Sequence, residues 1–158
     1  MWVETATKIG RGYDTQEFNE RKLRSVTSKI AEMTTLPLTE SIDTIKVMLS
    51  DCGVSLVMLP YLKNSGLHGV VKWLSKKKVL VAISDRRKNT DTFWFTLFHE
   101  LGHVFQKRIK DVSYTWENHE TDELEQEADI FAQKALIPEE LYGQLTCVND
   151  FVLESIHK

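Results

Sequence analysis

Hydrophobic residues recur at helical intervals early in the chain, gather into short β-rich runs in the middle, and return to helical spacing towards the end. From Thr15 to about Met33, the positions Phe18, Leu23, Val26, Ile30 and Met33 predict a helix, with Asp14 or Thr15 as its cap. Leu36-Pro37-Leu38 interrupts it, and Thr39, Ile42, Ile45, Val47, Met48 and Leu49 begin a second helix that Gly53 ends. Three strands follow, at Val54 to Leu59, Gly69 to Leu74 and Val79 to Ser84, the last two joined as a hairpin through Ser75-Lys76-Lys77-Lys78. Met1 to Gly12, with two glycines and no clear period, reads as a loosely held lead-in.

A polar loop, Asp85 to Asn89, leads into an apolar helix capped by Thr90 or Asp91 and running to Phe105. The polar stretch from Gln106 to about Asp122 reads as a loop. Another helix runs from near Thr121 to Leu136 and stops ahead of Pro138, where a further one starts. The expected class is therefore α+β: N-terminal helices, a small, mostly antiparallel three-stranded sheet, then two helices packed on it. Residues 1–36 are expected as a lead-in and helix packed on a domain at 37–158, the whole forming one structural unit.

Composition narrows the function without assigning it. Hydrophobic residues at 42% and charged residues at 27% are ordinary for a globular protein, and a net charge of −3 gives no electrostatic footprint for nucleic acid or anionic membrane. Lys76, Lys77 and Lys78 read as a solvated hairpin tip. Cys52 and Cys147 are too few for a disulfide framework or a Cys-rich zinc site, and read as reduced core residues. No apolar run reaches the length of a membrane span and the N-terminus lacks the order of a signal peptide, so a cytoplasmic location is expected.

The chemistry is concentrated in Phe98-His99-Glu100-Leu101-Gly102-His103, which contains H-E-x-x-H. Histidines four apart on a helix project from one face and can grip one Zn²⁺, while Glu100 beside them is suited to act as general base. A catalytic zinc takes three protein ligands and leaves a place for water. Of the downstream candidates, Glu125 lies on a stripe with Ala128, Asp129 and Ala132, at i, i+3, i+4 and i+7, whose small residues would let two helices approach closely. Glu125 is therefore the preferred third ligand, with Glu127 as the alternative. Asp129, one turn on, is placed to accept a hydrogen bond from the outer nitrogen of a ligand histidine. His119 does not fit the compact three-histidine spacing and reads as a loop residue. His68 reads as a satisfied strand residue and His157 as inert. Tyr114, Tyr142 and His68 are candidate oxyanion donors, none favoured.

Thr96 to His103, followed by Glu125-Gln126-Glu127-Ala128-Asp129-Ile130-Phe131-Ala132 and then Leu136-Ile137-Pro138, resembles the ImmA/IrrE family of zinc metallo-endopeptidases. The resemblance implies a zincin-like fold, His99, His103 and Glu125 as metal ligands, Glu100 as catalytic acid/base, Zn²⁺ as cofactor, and a cytoplasmic protein that cuts a helix-turn-helix repressor. Phe93-Trp94-Phe95-Thr96 is closer to the branch often fused to helix-turn-helix antitoxin-like regulators than to the free-standing proteases. That branch implies roles in transcription regulation or toxin–antitoxin pairs, with a repressor, toxin or antitoxin as protein partner. No DNA-binding domain is expected in this chain, nor direct nucleic-acid binding by it. The competing expectation is a zinc-bearing interaction module with little or no proteolytic activity.

Overall fold

A computed structural model of the chain describes residues 2–61, 67–84, 90–107, 112–116 and 123–137. The three anticipated strands form as β1 (Val54–Leu59), β2 (Leu67–Ser75) and β3 (Lys78–Ser84). β2 and β3 make the expected antiparallel hairpin, with Val71 opposite Val81 and Trp73 opposite Val79. Two features depart from expectation. β1 runs parallel to β3, Val54 opposite Val79, and a fourth strand, β4 (Val112–Trp116), pairs antiparallel with β2 to give the order β1-β3-β2-β4. The stretch read as a loop after Gln106 thus contains a strand. Its Val-Ser-Tyr-Thr-Trp composition is β-prone, but the polar residues on either side conceal it.

Both faces of this sheet are apolar. Val57, Val70, Leu80 and Ala82 pack on one side, while Val54, Leu56, Val71, Trp73, Val79, Val81 and Ile83 pack on the other. Such a sheet needs cover on both sides. The first is covered by α1 (Trp2–Gly12), which corrects the reading of those residues as a loose lead-in. Ala6 is fully buried against the sheet, and a Cβ on Gly10 would come within 2.7 Å of Leu80 Cδ1. A contact stripe built on alanine and glycine is nearly silent in a hydrophobicity pattern. Trp2 Nε1 donates to Pro60 O (3.0 Å) and Ser55 Oγ to Gly10 O (3.2 Å), tying both ends of α1 to the β1 segment.

The opposite face carries α2 (Glu20–Glu32), α3 (Leu38–Ser50) and α4 (Thr90–Phe105). Leu23, Val26 and Ile30 of α2, and Ile45 and Leu49 of α3, enter the core at the predicted intervals. The cap of α2 is Asn19, whose side chain accepts from Lys22 N at 3.0 Å, rather than Asp14 or Thr15. The chain before it is held extended by Phe18 N to Lys77 O (2.7 Å) and Asn19 N to Cys52 O (3.0 Å). These bonds leave Asp14 and Thr15 outside the helix.

Gly53 ends the α3 segment as expected, at φ +86°, and a Cβ there would also strike the Phe18 backbone at 2.4 Å. The hairpin tip is solvent-exposed at Lys76 and Lys77, as expected, while Lys78 is half-buried. Lys77 pairs with Glu17 (3.1 Å) and Lys78 Nζ donates to Tyr13 O (2.6 Å), stapling the hairpin to the segment between α1 and α2.

α5 (Glu123–Leu136) packs on α4, and its expected start near Thr121 lies outside the described residues. Cys52 is buried with a free thiol, while Cys147 and the helix expected from Pro138 lie outside the described residues. Among the described residues, no helix is long and apolar enough to cross a membrane.

Candidate metal centre and active site

α4 buries Phe93, Trp94, Leu97, Phe98, Leu101 and Val104 in the core that it shares with α2, α3 and the sheet. That packing turns His99 and His103 towards α5. The two helices approach closely because the residues between them are small. A Cβ on Gly102 would sit 3.1 Å from Ala128 Cα and 3.3 Å from Phe131 Cβ, and Ala128 and Ala132 are fully buried. The alanine stripe inferred from sequence is therefore the contact seam, and it carries Glu125 to the histidines.

His99, His103 and Glu125 are all buried, and their donor atoms lie within 4.8 Å of one another. Glu125 Oε2 is 2.9 Å from His99 Nε2, its Oε1 is 3.0 Å from His103 Nε2, and the two Nε2 atoms are 3.2 Å apart. Tetrahedral zinc, with bonds of about 2.0–2.1 Å, requires neighbouring donor atoms roughly 3.3 Å apart. The residues thus fit a divalent cation of that kind with little movement, and two imidazoles with one carboxylate are a suitable donor set. The outer nitrogens point away from the centre, His99 Nδ1 to Asp129 Oδ1 at 2.7 Å and His103 Nδ1 to Gln106 Oε1 at 2.9 Å. Both Nε2 atoms are thereby aimed at one point.

Electrostatics without a cation have the same logic. Burial alone would lower the His99 pKa, but hydrogen bonds to Asp129 and Glu125 outweigh it and push it up to about 10. His103 is likewise opposed by burial and raised by its bond to Glu125. For Glu125, burial pulls upward, yet the two histidines hold its carboxyl well below the ordinary range. The cluster thus favours positive charge, which protons on the imidazoles or a bound cation can supply.

Glu100 is fully buried beside this cluster. Its neighbour on the sheet is Gly69 of β2, where a Cβ would come within 2.5 Å of Glu100 Oε1 and 2.8 Å of its Cδ. Only glycine leaves room for that carboxylate. A glycine inside a β-rich run is a sequence signal for such an approach, although a glycine at the start of a strand carries that signal only weakly.

Gln106 was missed altogether, although it stands three residues past His103 and so on a neighbouring face. Glu127 turns away from the histidines, its Oε2 lying 3.5 Å from Gln106 Nε2. His68 is half-buried on β2 next to Gly69. Tyr114 lies on β4 opposite Val70, and His119, Tyr142 and His157 fall outside the described residues.

No curated protein matches the chain. The family pattern described as Peptidase_M78, IrrE N-terminal-like domain, matches residues 50–146, a span that takes in the sheet, His99, Glu100, His103 and Glu125. That span is more than half of the chain, and the chain belongs to this IrrE N-terminal-like peptidase family.

Proposed function

We propose that the chain is a zinc-dependent endopeptidase, with His99, His103 and Glu125 holding the metal and Glu100 acting as general base and then general acid. The observation that carries this reading is the Gly69 notch, which accommodates a fully buried carboxylate beside the donor cluster. Holding a cation needs only the three donors. A fourth acid, buried at some cost in desolvation, serves a reaction that moves protons.

A divalent cation bound there supplies Lewis acidity toward a carbonyl and acidifies a water. The chain's own residues do the rest. Glu100 accepts the proton of the attacking water and passes it to the departing amine. Asp129 and Gln106 fix the two imidazoles by their outer nitrogens. The substrate in this reading is a protein, with a helix-turn-helix repressor or a toxin or antitoxin partner as the class to test first, and the site of action is the cytoplasm.

The test is Glu100→Gln, which leaves the three donors in place. Zinc content should match wild type, while cleavage of a co-expressed repressor should fall by about 10²–10⁴-fold, the usual contribution of a general acid–base group. Unchanged cleavage in the variant rejects Glu100 as the base. Zinc uptake with no cleavage by wild type of any candidate partner, but stable complex formation, favours the interaction module instead.

A further inference from the structure

We infer that Gln106 is a positioning residue for the metal centre, selecting the ligand-competent tautomer of His103 and coupling that ring to the helix that bears Glu125. The inference rests on the metal reading above and concerns a residue outside the donor set.

A glutamine amide has one accepting end and one donating end, and its surroundings decide which is which. Gln106 Nε2 lies 2.9 Å from Leu124 O and 3.5 Å from Glu127 Oε2. A backbone carbonyl and an ionised carboxylate only accept, so the amide NH₂ must face them. Its Oε1 is therefore the atom 2.9 Å from His103 Nδ1. An amide oxygen cannot donate. His103 must then carry a proton on Nδ1, so that in the neutral, ligand form of the ring the Nε2 lone pair is the one directed at His99 Nε2 and Glu125. The same amide grips the carbonyl of residue 124, immediately before Glu125. One side chain thus holds both the second histidine and the start of the ligand-bearing helix.

The backbone around Gln106 is built to keep it there. α4 closes with Gln106 N bonded to His103 O (3.2 Å) and Lys107 N to Val104 O (3.1 Å). Lys107 then takes φ 54°, a left-handed conformation that a non-glycine residue adopts at some cost. Its ammonium pairs with Glu20 on α2, anchoring the turn from the other side. The two histidines are consequently supported differently. His99 leans on a charged carboxylate, Asp129, and His103 on a neutral amide.

The experiment compares Gln106→Met, which removes both ends of the amide, with Gln106→Glu, which keeps an acceptor for His103 but sets a carboxylate against Leu124 O and Glu127. Zinc affinity is measured by competition with a chromophoric chelator. The His103 ring nitrogens are followed by ¹⁵N NMR of the zinc-loaded protein, and circular dichroism confirms the fold. The expected result is a zinc affinity about 10–100-fold weaker for Gln106→Met, the usual effect of losing an outer partner of a ligand histidine. Gln106→Glu should recover most of it and shift the His103 Nδ1–H resonance.

Gln106→Met binding zinc as tightly as wild type would overturn the inference. So would Gln106→Glu binding more weakly than Gln106→Met with the His103 resonances unmoved, which is the signature of a tether to Leu124 alone. Failure of wild type to take up zinc would reject the metal reading itself, and this inference with it.

Discussion

The two faces of the sheet are made by alternate residues of the same strands, yet they do different work. On the α1 side, Val57, Val70, Leu80 and Ala82 meet Ala6 and Gly10, and the buried polar side chains described there, Thr7 and Ser55, are uncharged. On the α4 side, the core continues into a patch where His99, Glu100, His103 and Glu125 are all buried within one helix pair. Each face contains a glycine against which a Cβ would collide, Gly10 with Leu80 at 2.7 Å and Gly69 with Glu100 at 2.5 Å. The collisions are similar in distance and opposite in meaning. One permits a helix to lie flat on a sheet, and the other permits a carboxylate to lie beside the donor cluster.

Substituting the two glycines is the sharpest way to break that contrast. Gly69→Ala should displace the Glu100 carboxylate by the better part of an ångström and reduce hydrolysis about 100-fold, the scale set by small misplacements of catalytic groups. Its zinc content should stay at the wild-type level, because the three atoms nearest the added Cβ all belong to Glu100 and not to a donor residue. Gly10→Ala should show the reverse, costing about 1–3 kcal/mol of stability through overpacking against Leu80 while cleavage per folded molecule is unchanged. Paired thermal melts and turnover assays on both variants decide the matter. A Gly69→Ala protein as active as wild type would mean that the notch is only a packing feature.

A smaller effect separates the two faces by pH, since the buried acids and histidines among the described residues lie on the α4 side. In the metal-free protein, the His99 pKa is raised from its ordinary 6.5 to about 10, so its contribution to stability is complete below 6.5 and disappears as pH rises towards 10. Glu125 is shifted the other way from 4.5, so its contribution is present above 4.5 and is lost as the solution becomes more acidic. Metal-free wild type should therefore exceed Glu125→Gln in melting temperature most between pH 4.5 and 6.5. A pH-independent difference would refute the ion-paired description of the cluster. Gly10→Ala should differ from wild type equally across that range.

What could be read from sequence follows the same division. The helix pair at the site was legible because its determinants are local. His99 and His103 declare themselves by spacing, and Ala128 and Ala132 mark the face on which Glu125 must lie. The α1 helix was hidden because Ala6 and Gly10, the residues that touch the sheet, carry little hydrophobic signal, and the two glycines looked like punctuation. The clue to it lay elsewhere, in strands apolar on both faces that demand a second layer. The parallel pairing of β1 with β3 is a long-range choice that no local pattern encodes. Gln106 was overlooked because a polar residue at a helix end normally marks an exit to solvent. Only the positions of Leu124 O and His103 Nδ1 give it a purpose.

The central claim is that His99, His103 and Glu125 hold one divalent cation beside Glu100, and bound zinc is its most direct test. After saturation and exhaustive dialysis, elemental analysis of wild type, Glu100→Gln and Glu125→Ala should find one zinc per chain in the first two and almost none in the third. Equal retention by Glu125→Ala, or its loss from Glu100→Gln alone, would contradict the account.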